Sequence, residues 1–199
     1  MSGPTGSDRP TEPPSPSHPA PAPEVRIVEG TLVVDDLDAF LASLESIREE
    51  TGAVVQAFDA DRVVDAAHLR LATRLAARSI ARDEAVARDP AVEILVYAAG
   101  RRQIDRALDL GVSPGERRAA LVVADFADVA EANRPAADLE TAVTSVEGLL
   151  ATGPEPTLGE FDDGTVRDYY GVTDRELDAT DGDLADIVHE RVALLDVEK

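Results

Sequence analysis

Three short apolar runs limit how much β-sheet this chain can form. They cover residues 25–34, 53–58 and 119–124, and the first is interrupted at Gly30. Short runs rich in β-branched and apolar residues are typical of strands, and the first run predicts either one strand or a hairpin. No regular strand–helix alternation connects them. We therefore expect an α+β fold, in which a small sheet packs against several helices within one globular domain of one or two lobes.

Apolar residues spaced three and four positions apart predict helices between and after these runs. Asp35 or Asp36 can cap the first helix, and Gly52 is placed to end it. Residues 92–99 fit a buried helix by length and alanine content, although their periodicity leaves a strand open. Residues 153–164 predict an acidic loop. The other predicted helices cover residues 65–80, 103–110, 126–133 and 139–150, with a closing helix carrying Leu184, Ile187, Val188, Val192 and Leu195.

The first 24 residues differ in composition from the rest. They hold eight of the 13 prolines, which predicts a disordered Pro-rich leader before a folded domain over residues 25–199. A solvated extension is one interpretation of this leader, and a docking peptide is the other. The chain has no cysteine, no secretory signal, and no apolar run of the ~20 residues that a membrane helix needs. We expect a cytoplasmic protein without membrane contact.

Positive charge is concentrated in the middle of an acidic chain. Residues 62–118 hold 11 arginines and 8 acids, although the whole chain has a net charge of −21 and Lys199 as its only lysine. Arg70, Arg74, Arg78 and Arg82 recur every four residues, which predicts a row along one helix. Arg101, Arg102 and Arg106 form a second cluster. Such arginines either pair with nearby acids or bind an anionic partner.

The acidic composition also constrains how an anionic partner is bound. Few lysines and many carboxylates favour adaptation to molar salt, where the Debye length falls to about 3 Å; an acidic protein from a GC-rich genome is the alternative. Contacts to single-stranded phosphates lose affinity with salt at a slope of roughly −0.7 per phosphate. A pocket that stacks and hydrogen-bonds unpaired bases loses less. We therefore expect recognition of a nucleic-acid end.

Catalytic signatures are missing from the sequence. It has no glycine-rich phosphate loop followed by lysine, no dinucleotide fingerprint and no nucleophile elbow. Outside the leader only His68 and His189 remain as histidines, and their spacing does not suit a metal site. We expect a protein that is not an enzyme and that has no cofactor and no metal.

Three blocks of sequence carry a family resemblance. Residues 93–111 read EILVYAAGRRQIDRALDLG, residues 66–82 read AAHLRLATRLAARSIAR, and residues 183–199 read DLADIVHERVALLDVEK. Together they resemble the kinase-binding subunit of the KEOPS (EKC) complex, the family of the PRPK-binding protein TPRKB. With the acidic composition, the resemblance suggests a haloarchaeal source.

The resemblance implies a non-catalytic α+β subunit that docks on the KEOPS protein kinase and, through it, joins the rest of KEOPS. It also implies that the subunit binds the CCA acceptor end of tRNA and so recruits tRNA for threonylcarbamoyl-adenosine (t6A) modification. An acidic regulatory protein that activates the kinase without contacting RNA is the alternative.

Candidate site residues follow from the matching positions and from the arginine clusters. Gly100 would let backbone approach a ligand, the arginines would meet phosphates, and Gln103 can read a base edge. His68 either stacks on a base or packs in the core, and Glu93 and Ile104 either contact RNA or serve as a helix cap and core residue. The tRNA-binding candidates are His68, Arg70, Arg74, Arg78, Gly100, Arg101, Arg102 and Gln103, and the kinase-binding candidates are Leu69, Leu75, Val188 and Leu195.

Overall fold

The computed structural model describes residues 22–197 and confirms the α+β class. Residues 1–21 of the predicted disordered leader lie outside the described residues, and Glu24 at its end already begins a strand. In chain order the elements are β1 (Glu24–Val34), α1 (Leu37–Thr51), β2 (Val54–Asp59), a 3-10 turn (Ala60–Arg62), α2 (Ala66–Ala81), α3 (Pro90–Ala98), α4 (Ile104–Leu108), β3 (Gly115–Asp125), α5 (Leu139–Glu147), α6 (Asp163–Tyr170), α7 (Asp174–Ala179) and α8 (Leu184–Leu195).

The sheet has three strands in the order β1–β3–β2, and β3 is antiparallel to both neighbours. Glu24 pairs with Asp125 and Val34 with Gly115, so β1 and β3 match along their whole lengths. Because β1 and β2 run parallel on either side of β3, α1 forms a crossover between strands that are not neighbours. The last strand in the chain therefore occupies the centre of the sheet.

The central strand β3 is buried on both faces, which explains its continuous apolar sequence. Ala119, Leu121 and Val123 pack in a core with α1 and α5. The alternate residues of β3, together with α2, α3 and the end of α8, form the second core. A third, smaller apolar cluster joins α6 to α8. The sheet is thus the middle layer of three, and α2, α3 and α8 share one side of it.

Aspartates begin most of the helices. Asp36, rather than Asp35, caps α1 by accepting a hydrogen bond from Ala39 N at 3.0 Å. Hydrogen bonds from Thr141 and Thr165 lower the pKa values of the cap carboxyls of Asp138 and Asp162, respectively. Side chains that accept bonds from the first helical turn satisfy its free N–H groups, and their negative charge suits the helix dipole. The six aspartate caps are Asp36, Asp65, Asp89, Asp138, Asp162 and Asp183.

Several predicted boundaries are confirmed. Gly52 ends α1 in the left-handed conformation at a φ of 74°. Residues 92–99 are helical, as part of α3 and its C-cap. The first apolar run forms one strand and not a hairpin, because Gly30 pairs with Ala119 without interrupting the ladder. A Cβ at Gly30 would lie 2.8 Å from the Cδ1 atom of Leu150, so glycine leaves room for the residues that follow α5.

In the second half of the chain a predicted helix does not form, and a helix that was not predicted does. Residues 126–133 form turns and not a helix, because Glu131 and Asn133 adopt positive φ angles of 63° and 49° before Pro135. The acidic loop predicted over residues 153–164 is confirmed as far as residue 162, and the unpredicted helix α6 begins at Asp163. Its apolar contacts are few, since only Val166 and Tyr170 of this helix are buried.

Two glycines each end a helix. Substituting each of them by alanine separates the cost of steric crowding from the cost of backbone strain. Gly52 and Gly171 have similar φ angles of 74° and 66°, but a Cβ at Gly52 would lie 3.1 Å from the Ala136 carbonyl oxygen, whereas a Cβ at Gly171 would meet nothing within 4 Å. We expect Gly171→Ala to lower the free energy of unfolding by about 1–2 kcal/mol through backbone strain alone. Gly52→Ala should cost measurably more in urea denaturation. Equal costs would contradict the packing assigned to Gly52.

Candidate functional site

The connection between α3 and α4 places the second arginine cluster at the surface. Gly100 N donates to Tyr97 O at 2.9 Å and Arg101 N donates to Val96 O at 3.3 Å, which closes the end of α3. Gly100 makes this turn at a φ of 60°, in the left-handed region that favours glycine. A Cβ at Gly100 would lie 3.4 Å from the Cβ atom of Arg191, so its nearest neighbour is α8. The turn conformation, rather than lack of space, thus requires glycine at position 100.

Arg101 is held against an aromatic ring, and its neighbours are exposed. The Cζ atom of Arg101 lies 4.8 Å from the ring centroid of Tyr169 in α6, which is a cation–π distance. Burial raises the pKa of Tyr169 to about 12, so its hydroxyl stays protonated. Arg102 and Gln103 are exposed. Gln103 precedes α4 without a side-chain cap hydrogen bond, which leaves its amide open to a ligand.

The arginine row on α2 divides into two halves. Arg78 pairs with Asp196, with its Nε atom 3.3 Å from Oδ1, and Arg82 lies 4.0 Å from the same carboxylate. Arg70 and Arg74 are exposed and have no carboxylate within 4.0 Å among residues 22–197. They line a groove of about 490 Å³, whose walls include Val25, Leu71 and His189. Only the first half of the row presents unneutralised charge.

Most arginines in the basic segment have no acidic partner. Of the 11 in residues 62–118, Arg62, Arg78, Arg82 and Arg118 lie within 4.0 Å of a carboxylate. In the remainder of the described chain, four of six arginines are paired. The basic segment is therefore not simply a set of internal ion pairs. Its arginines without a carboxylate partner among the described residues are Arg70, Arg74, Arg88, Arg101, Arg102, Arg106 and Arg117.

His68 lies in the core and not at the surface. It is fully buried, and its Nε2 atom is 2.8 Å from the carbonyl oxygen of Ala98. Because a carbonyl only accepts, Nε2 carries the proton and donates it. Burial lowers the pKa of His68 to about 4, so the ring is neutral at pH 7. Stacking of His68 on a base is thus excluded in this structure. The ring instead supports the end of α3, two residues before Gly100.

Comparison with known families decides where this chain belongs. The family model described as kinase binding protein CGI-121 matches residues 34–196, which include all eight helices. The chain belongs to the CGI-121 family. Comparison with curated proteins gave no match. The CGI-121 match includes every candidate residue named from the sequence, since they lie between His68 and Leu195.

The residues suggested for kinase contact are in the core of this CGI-121 structure. Leu69, Leu75, Val188 and Leu195 are at most 5% exposed, because they form the inner faces of α2 and α8. A partner cannot reach them without unfolding these helices. On the outer side of the same closing segment, Leu194 is 45% exposed and Val197 is 75% exposed. The apolar periodicity predicted α2 and α8 correctly. The residues chosen from it for kinase contact, however, lie on the buried faces of these helices.

The two remaining candidates from the block at residues 93–111 differ in position. Glu93 is buried and accepts hydrogen bonds from Val86 N at 3.0 Å and Ala87 N at 2.8 Å. It therefore organises the loop before α3. Ile104 is 37% exposed on α4, next to the exposed Gln103.

The tyrosine pair in α6 was missed by sequence reasoning. Tyr170 is buried, and its hydroxyl lies 3.1 Å from Ala98 O and 3.3 Å from Arg62 O, with its single proton directed to the nearer Ala98 O. The signal was present, since Asp162 caps the helix, Gly171 ends it, and Val166 lies four residues before Tyr170. Nothing in the local sequence, however, indicates that this helix packs against a loop some seventy residues earlier.

Two kinds of feature are absent from residues 22–197. None of the helices in that range is both long enough and apolar enough to cross a lipid bilayer. Within the same range, no three histidine, aspartate or glutamate side chains are grouped so that they could hold a metal ion.

The lowered pKa of His68 predicts a specific pH dependence of stability. In the unfolded chain His68 titrates near 6.5, and in the folded chain near 4, so between these values the unfolded state binds the extra proton. The contribution of the neutral ring is therefore present above pH 6.5 and is lost as the pH falls towards 4, by on the order of 3 kcal/mol.

We expect the difference in unfolding free energy between the unaltered protein and His68→Gln to change between pH 7 and pH 4.5 in urea titrations. The unaltered protein should lose more stability, because glutamine does not titrate. A difference that stays constant over this range would contradict the assignment.

Proposed function

We propose that this CGI-121 protein is a non-catalytic, cytoplasmic subunit of the KEOPS complex. In this role it binds the KEOPS protein kinase and recruits tRNA through the CCA acceptor end for t6A modification. The family description supports the kinase partner. The proposed tRNA binding rests on one observation. Seven of the 11 arginines in the basic segment have no carboxylate within 4.0 Å among the described residues, although the chain has a net charge of −21.

Unpaired guanidinium groups on an acidic protein point to a polyanion. Carboxylates outnumber bases by 40 to 19, so an arginine with only a structural role has many potential partners. Arg102 and Arg106 are exposed and close in sequence to Arg101, with Asp105 as the one acid among them, so the segment keeps a net positive charge that repels itself. Arginine presents a planar fork of donors that matches phosphate oxygens. A phosphate backbone relieves the repulsion and uses this geometry.

The neighbours of these arginines favour the end of an RNA over a duplex. Gln103 offers amide donors and an acceptor beside Arg102, and such a group reads the edge of an unpaired base. Ile104 adds an exposed apolar surface on which a base can lie. Base contacts are less sensitive to salt than phosphate contacts are. The unpaired CCA end of tRNA fits this combination.

A second candidate function is kinase regulation without RNA contact. The ion pairs of Arg62, Arg78, Arg82 and Arg118 favour it, because they show that part of the basic segment is neutralised internally. On this account the remaining arginines are solvated. The two functions differ in whether the isolated subunit has affinity for the acceptor end.

The RNA proposal is tested by one charge reversal at the cluster and one elsewhere. Arg102 and Arg175 are both exposed and both lack a carboxylate within 4.0 Å in the described chain, so Arg102→Glu and Arg175→Glu change the net charge equally. We expect Arg102→Glu to weaken binding of intact tRNA about tenfold or more, the loss of one charged hydrogen bond, and Arg175→Glu to change it less than about twofold.

Filter binding with intact tRNA and with tRNA lacking its CCA end measures both effects. Removal of CCA should reduce the affinity of the unaltered protein and abolish the difference between the two variants. Equal affinities for both RNAs, or equal effects of both variants, would favour the kinase-only function.

Kinase contact is tested on the exposed side of α8. Leu194→Asp places a charge where we expect an apolar contact, so it should reduce copurification with a tagged KEOPS kinase subunit at least about fivefold, because burial of an unpaired charge is costly. Leu41→Asp is the matched control, because Leu41 is 49% exposed on α1, on the other side of the sheet. Equal copurification of both variants would exclude this face of α8 as the docking surface.

A further inference from the structure

Two consecutive tyrosines of α6 contact both ends of the segment that carries Arg101, Arg102 and Gln103. The Tyr170 hydroxyl donates to Ala98 O, before Gly100. The Tyr169 hydroxyl donates to Arg106 O at 3.1 Å, within α4. Between these two points the Tyr169 ring lies against the Arg101 guanidinium. One short helix therefore reaches the backbone on both sides of the exposed segment and one of its side chains.

We infer that Tyr169 is a positioning residue for RNA binding, because it holds Arg101 and the segment from 98 to 106 in the orientation that binding uses. This inference rests on the proposed function and extends it to a residue outside the basic segment. Tyr169 itself touches the protein's own arginine, and the inference assigns it no contact with RNA.

The stacking contact reduces the cost of ordering Arg101. A free arginine side chain samples many rotamers, and immobilising a mobile side chain on binding costs free energy. Arg101 is only partly exposed and already lies 4.8 Å from the ring centroid. Arg62 also approaches this ring, at 5.9 Å, but its guanidinium is bound to Asp59 and to the Asp109 carbonyl. Arg101 is therefore the cation of the pair that has no carboxylate partner within the described residues.

The two hydroxyl contacts fix the backbone around the exposed side chains. Burial raises the pKa of both tyrosines, so their hydroxyls remain protonated and donate. Ala98 O also accepts from His68 Nε2, which anchors it from α2. With Ala98 and Arg106 held, Arg102 and Gln103 project from a segment whose two ends are attached to the same helix. The backbone that carries the Arg102 and Gln103 side chains is thereby in place before RNA binds.

Two variants of Tyr169 separate this role from a general structural one. Val166 and Tyr170 are the buried residues of α6, and the ring of Tyr169 also packs against the second core and the third cluster. Tyr169 is partly exposed and packs edge-on against Tyr170, with the ring centroids 4.8 Å apart. Tyr169→Phe keeps the ring and its stacking and removes only the hydroxyl. Tyr169→Leu keeps an apolar side chain and removes the aromatic face that Arg101 contacts.

The test is a double-mutant cycle in the full chain, with tRNA carrying its CCA end as the probe. We expect Tyr169→Leu to weaken binding on the order of tenfold, the scale of a partly desolvated cation–π contact. Tyr169→Phe should stay within about threefold, because phenylalanine retains the stack. In the Arg101→Ala background Tyr169→Leu should cause no more loss than Tyr169→Phe does, because only the hydroxyl contact with Arg106 O remains to be removed.

Urea denaturation and kinase copurification of each variant show whether the chain is folded, and both should be nearly unchanged for Tyr169→Phe. If tRNA binds the unaltered chain but Tyr169→Leu binds equally well, the positioning role is overturned and the proposed function stands. Additive losses in the double variant also overturn it. If the unaltered chain has no affinity for tRNA, the proposed function fails, and the positioning role fails with it.

Discussion

The burial of β3 on both faces is the constraint on which the rest of the structure depends. A strand covered on two sides needs a helical layer on each, and the chain supplies α1 and α5 on one face and α2, α3 and α8 on the other. Because both faces of the sheet are covered, the polar groups that can bind a ligand lie on the outer faces of the helices and at the ends where the helices leave the core. α3 is almost entirely buried, so its C-terminal end brings the chain abruptly from the core to the surface at Gly100.

The charged residues serve two distinct purposes around this framework. Aspartates begin six of the helices, and several ion pairs connect elements that are distant in sequence, such as Arg118 with Asp61 and Arg78 with Asp196. These contacts explain why part of the basic segment is neutralised. The side chains of Arg102 and Arg106 pair with no carboxylate in the described chain, and they lie where α3 leaves the core. The fold and the proposed function therefore use different arginines of the same segment.

The sequence predicted those parts of the fold that are determined by residues close together in the chain. Helical spacing located α2, and Gly52 was correctly expected to end α1. The same spacing could not distinguish a face that packs in the core from one that meets a partner, which is why Leu69 and Leu195 were assigned to the kinase although both are buried. His68 is similar, because its burial depends on Ala98 and Tyr170, which are brought to it by tertiary packing. The role of Tyr169 was unpredictable for the same reason.

Side-chain NMR of arginine tests the central claim most directly. An RNA oligonucleotide ending in CCA would be titrated into the full chain while the Nε–Hε signals of the arginines are followed. The account predicts that the signals of Arg101, Arg102 and Arg106 shift with a common saturation curve, while those of the ion-paired Arg48 and Arg167 stay in place. Signals that do not move, or that all move slightly and without saturation, would contradict it.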